Sequence, residues 1–135
     1  MQHWMEQRQP VDGRGLLELL LSTASAAENF TGLARCFRGW QAEALGRMAR
    51  ECRAQGACLG GIFTLVSGEP PKKQTVPTDP GTVQARLKKA YVRSMQLLSA
   101  CQARAADAEY GPVFQILAAR QQEHCRKILE ILGSL

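Results

Sequence analysis

The stretch RQQEHCRKILEIL, residues 120–132, sets the imidazole of His124 one helical turn after the amide of Gln121, among aliphatic residues. Side chains at this spacing lie on one face of a helix. With a carboxylate at 121 the pair would be a metal-ligating couple. With an amide it can hydrogen-bond but supplies no charge. A second couple, Cys52 and Gln55 in ARECRAQGACLGG, has the same spacing. Thiolate and imidazole together suit zinc, so Cys52, Gln55 and His124 define one candidate soft-metal site. A Cys52 thiolate activated by His124 would instead be a nucleophile or peroxide sensor. Two good ligands are too few for tight zinc binding, and no visible third group orients the thiol. The plain alternative for His124 is a core histidine held by a hydrogen bond.

Four helical segments are predicted to position these residues: Gly13 to Phe37, Trp40 to Val66, Thr82 to Ala106, and a last one after DAEYGP that stops near Gly133. Between the second and third lies SGEPPKKQTVPTDPG, whose four prolines exclude helix. Nothing alternates as a strand does, so the chain reads as all-α. The whole of 1–135 reads as one domain, with an N-terminal extension over 1–12 and a Pro-rich connection over 67–81. The short links Arg38–Gly39 and DAEYGP make helices one and two, and three and four, antiparallel neighbours. The middle connection could extend ~50 Å, enough to run the length of the bundle and start helix three parallel to helix two. That would be an up-down-down-up order, with an up-down bundle and slack loop as the alternative.

Stepping by three and four along each helix traces the core stripes. Helix one gives Leu16, Leu20, Thr23, Ala27, Phe30, Ala34 and Phe37. Helix two gives Leu45, Met48, Cys52, Gln55, Leu59, Ile62 and Val66. Helix three gives Val83, Leu87, Ala90, Ser94, Leu97 and Cys101, and helix four gives Phe114, Leu117, Gln121, His124, Ile128 and Ile131. Each stripe turns small or polar near its middle, at Thr23, at Cys52 with Gln55, at Ala90 with Ser94, and at Gln121 with His124. Buried polar groups need partners, so these interruptions should meet in a shared polar pocket and bond to each other or to water. Helix three has no Asp or Glu. The other helical acids fall off the stripes; Glu51 and Glu123, beside seam positions, are best placed to turn inward, and Glu28 would need a shifted helix. The helix-interior pair Gly60 and Gly61 suggests close helix contact or a kink rather than the approach of a ligand. Trp4 and Trp40 read as packing or interface residues.

The net charge of +5 raises a nucleic-acid partner, but its densest cluster, Arg86, Lys88, Lys89 and Arg93, comes with no nucleic-acid motif and reads as a solvated face. The apolar run Leu16–Leu21 is interrupted by Glu18 and too short to span a bilayer, so no membrane role is expected. MQHWMEQRQPVDG lacks the plan of a secretion signal, which makes the cytoplasm the expected location. Five cysteines without a C-x-x-C pair read as reduced, mostly buried thiols rather than a disulfide scaffold or zinc finger.

Two segments, DAEYGPVFQILAARQQEHCRKILEILG and ARECRAQGACLGGIFTLVSGEPP, give the chain a resemblance to the rubrerythrin-like branch of the ferritin-like superfamily, covering most of it from helix one to Leu132. The resemblance implies an up-down-down-up four-helix bundle with a Pro-rich crossover. In such proteins Glu from two helices and Glu-x-x-His from the other two hold a di-iron or di-manganese centre that handles peroxide, oxygen or ferrous iron. Carried over residue by residue, these positions fall on Thr23, on Cys52 and Gln55, near Ala90 (or Leu87 or Ser94), and on Gln121 and His124. Only His124 keeps the residue type of the pattern. A di-metal site needs carboxylates to balance and bridge its cations. The expectation is therefore a degenerate centre with no catalytic or cofactor residues. Gln121 would fill the place of a Glu without charge and pair with His124 or Gln55. Any metal would be iron, manganese or zinc at His124 and Cys52. The expected role is a non-catalytic interaction or small-ligand-binding module, a homodimer with an unknown protein or small-molecule ligand. The alternative is a metal-dependent oxidoreductase or iron-handling protein with a rearranged site.

Overall fold

The computed structural model describes residues 11–135, so the N-terminal extension, Trp4 included, lies outside the described residues except for Val11 and Asp12. Four helices and no strand are present among the described residues: α1 (Gly13–Ala34), α2 (Trp40–Ser67), α3 (Val83–Ala103) and α4 (Gly111–Gly133). The chain is a helical bundle.

Local chemistry sets the helix ends. Asp12 caps α1, its carboxylate accepting from the Gly15 N–H at 2.8 Å, and the Thr82 hydroxyl does the same for Ala85 on α3 at 3.1 Å. The end of α2 is Gly68 at φ +84°, a left-handed conformation that favours glycine, with its N–H bonded to the Thr64 carbonyl. Helix α1 stops at Ala34 rather than Phe37, because Cys36 and Phe37 bond back three residues, to Leu33 and Ala34, and tighten into a turn. Arg104 and Ala105 end α3 the same way, short of Ala106.

α1 packs on α2 and α3, and α4 packs on α3 and α2. The remaining pairs face one another across the core, where the Phe30 ring meets His124 edge-on with centroids 5.8 Å apart. Phe30, Leu45, Leu59, Leu97, Phe114 and Ile128 lie in one buried cluster drawn from all four helices. Every residue of the α4 stripe is buried, as is every residue of the α2 stripe before Val66, which is exposed.

The connection from Gly68 to Thr82 is held down rather than slack. The Asp79 N–H donates to Asn29 Oδ1 at 2.7 Å, and Arg93 on α3 donates to both Asp79 carboxylate oxygens at 2.9 and 3.0 Å. Pro71 sits against the Gly60 backbone, where an added Cβ would come within 3.8 Å of its ring; Gly61 has no such neighbour. The neighbour at the glycine pair is therefore the connection, at Gly60 only, and not the helix expected there.

Candidate functional site

The six positions singled out in the sequence are all buried: Thr23, Gln55 and Gln121 at 0%, Cys52 and His124 at 1%, and Ala90 at 2% exposure. Ser94, a register alternative to Ala90, is at 0%.

Cross-helix pairings fix their common level. Thr23 lies beside Gly56, one residue past Gln55. Gln55 accepts from Gln121 Nε2 at 3.1 Å. On α1 and α3, Gly32 neighbours Arg86 and Gly15 neighbours Arg104, and Thr23 and Ser94 fall about midway between these two pairings. All four helices thus bring a neutral polar side chain to the middle of the bundle. Of the two partners open to Gln121, the structure selects Gln55.

His124 takes a partner from outside the stripes. Its Nε2 lies 2.9 Å from Glu51 Oε1, and Glu51 reaches in from a side-chain position that stays 38% exposed. Glu123, the other acid beside a seam, points to solvent and pairs with Arg126. Glu28 is exposed. Burial pulls the His124 pKa below its usual value, and the bond to Glu51 opposes this only in part. The neutral imidazole is favoured, which makes Nε2–H the donor to Glu51 and Nδ1 an acceptor facing the core.

Five polar atoms at this level have no partner among the described residues: Thr23 Oγ1, Gln55 Nε2, Ser94 Oγ, Gln121 Oε1 and His124 Nδ1. They include donors and acceptors, so together they suit neutral hydrogen-bonding molecules such as water.

Cys52 fits a nucleophile poorly. Burial, with the Glu51 carboxylate alongside, pushes its thiol up to about 12, so the thiolate is scarce at neutral pH. All five cysteines are unpaired; Cys36 and Cys58 are exposed. Among the described residues no group of three or more His, Cys, Asp or Glu side chains is placed to hold a metal ion, and no helix is long and apolar enough to cross a membrane.

No protein-family model matches the chain, and neither a curated protein nor a solved structure matches it. The chemistry of this centre therefore has to be read from its own side chains. Sequence reasoning missed two buried polar residues that tie segments together. Asn29 is buried at 1% exposure and receives Asp79, and Arg104, at 6%, donates to the Ala100 carbonyl while its guanidinium covers Gly15. The one available signal was the missing side chain at Gly15, where a Cβ would lie 2.7 Å from Arg104 Nη2.

Proposed function

We propose that this chain is a ferritin-like bundle, up-down-down-up with a Pro-rich crossover, that works without a di-iron centre as a non-catalytic interaction or small-ligand-binding module. The Gln55–Gln121 amide pair carries the reading. It fills the two places where the resemblance would put a histidine and a carboxylate with neutral groups joined by one hydrogen bond. α3, from Val83 to Ala103, has no acid to contribute.

Support for the topology comes from the pairings. Partners ascend one helix as they descend the other in Gln41–Ser134, Glu51–His124 and Gln55–Gln121, and likewise in Gly32–Arg86 and Gly15–Arg104. A cytoplasmic location is proposed on the five free thiols, which suit a reducing compartment. A homodimer is proposed on the exposed Val92 and Met95, one turn apart on α3, which a second copy would cover.

The second reading is a metal-dependent oxidoreductase or iron-handling protein with a rearranged site, and the contact between Glu51 and His124 favours it. A carboxylate and an imidazole at the bundle's centre are two of the ligand types such a site uses. Metal analysis of protein purified from cells grown with added iron and manganese separates the two. The first reading expects metal far below one equivalent per chain; near-stoichiometric iron or manganese refutes it. Light scattering on the same sample tests the dimer, which a monomer mass at micromolar concentration would rule out.

A further inference from the structure

Beside the polar centre, with Cys52 between the two, α1, α2 and the start of the Pro-rich connection border a cleft of about 600 Å3, within the roughly 300–1,000 Å3 typical of small-molecule sites. Its wall on α1 is apolar, formed by Leu17, Leu20 and Ala24. Cys52 and Gly56 of α2 form the floor, and the thiol there is neutral because its pKa is pushed up to about 12. Pro71 and Val76 close the third side. The charges gather at the edge. Among the described residues, Arg53, Lys72 and Lys73 line it against a single carboxylate, Glu28, and all four are exposed.

The geometry points to a binding site for a single-chain fatty carboxylate, its alkyl tail between α1, α2 and Val76 and its anionic head at Arg53, Lys72 and Lys73. Three observations carry this. The lining separates into an apolar interior and a cationic rim, as an amphiphile does. The surplus of cations over Glu28 complements an anion and disfavours a cationic head. The third side is held in place, because Pro71 packs on Gly60 and Asp79 is fixed to both Asn29 and Arg93, so the cleft stands without its occupant. Apolar tail burial would supply the affinity and the rim would supply the selectivity.

This deepens the small-ligand part of the function proposed above. Its failure would leave the metal-free centre, tested by metal analysis, as it stands. The test is calorimetric titration of the full chain with octanoate, decanoate and 1-octanol, each below its aggregation concentration. One-to-one binding is expected, about 15-fold tighter for decanoate than for octanoate, since each buried methylene contributes about fourfold. Octanol should bind at least several-fold more weakly than octanoate. Ala24→Trp fills the cleft from an exposed helical position and should abolish decanoate binding. Lys72→Glu with Lys73→Glu, both at exposed positions, should weaken it by about tenfold. Absence of saturable binding overturns the proposal. So do equal affinities for octanol and octanoate, or affinities that neither variant changes while both remain helical by circular dichroism.

Discussion

Replacing Gln55 and Gln121 by leucine, singly and together, tests whether the two amides exist for each other. Both side chains are fully buried, joined by one 3.1 Å bond, and each already has one polar atom without a protein partner, Gln55 Nε2 and Gln121 Oε1. Gln121→Leu therefore strips the Gln55 amide of its remaining protein partner, and Gln55→Leu does the same to Gln121. Leaving a buried polar group unsatisfied costs about 1–3 kcal/mol, so each single variant should lose about that much. Independent sites would add to about 2–6 kcal/mol in the double variant. The structure predicts the opposite: with both amides gone neither leaves the other stranded, similar volume is filled by apolar groups, and the double variant should lie within about 1 kcal/mol of the parent. Urea unfolding followed by far-ultraviolet circular dichroism resolves the difference, because with slopes of about 1–3 kcal/mol per molar a 2 kcal/mol loss moves the midpoint by roughly 1 M. Additive losses in the double variant, or single variants as stable as the parent, would refute a neutral paired centre.

Three further outcomes are expected. Because the folded state holds the His124 pKa below its unfolded value, the unfolded chain binds more protons, so stability should fall as pH drops through about 6.5, by up to ~1.4 kcal/mol per pH unit; thermal midpoints between pH 8 and 5 should show less acid sensitivity in His124→Gln, and identical slopes would contradict this. Asn29→Ala removes the acceptor for the Asp79 N–H, and should cost about 1–3 kcal/mol while speeding amide exchange across residues 70–80; unchanged exchange there would contradict the role given to Asn29. Cys52, buried and with its thiol pushed up to about 12, should stay unmodified under iodoacetamide or peroxide while the exposed Cys36 and Cys58 react, as peptide mass spectrometry would show; preferential modification of Cys52 would revive a thiol-based role.

The fold was most legible in α2 and α4, where steps of three and four pick out residues that are buried almost to the last. It was least legible in α1 and the turn after it, where Leu19 and Leu33 are buried while Leu20, Ala34 and Phe37 are only partly covered. The reason is that α1 packs extensively against both α2 and α3, whereas α2 and α4 meet each other only lightly, so the buried face of α1 is wider than one stripe. The polar centre could be placed from sequence because its members sit on the stripes themselves. Glu51 could be flagged only as a neighbour of the seam, since residue spacing fixes where Cα lies and not how far a long side chain bends back. The cleft was not legible at all. One of its sides is an aperiodic connection, held by Asn29, Asp79 and Arg93, which come from three separate parts of the sequence.

Diffraction at the iron absorption edge, from crystals of protein prepared with added iron and soaked in ferrous salt, puts the neutral centre to its most direct trial. The expected result is water-sized density bonded to Thr23, Gln55, Ser94 and Gln121, with no anomalous signal. Two anomalous peaks about 3.5–4 Å apart between the helices, bridged by Glu51 or another acid, would contradict it.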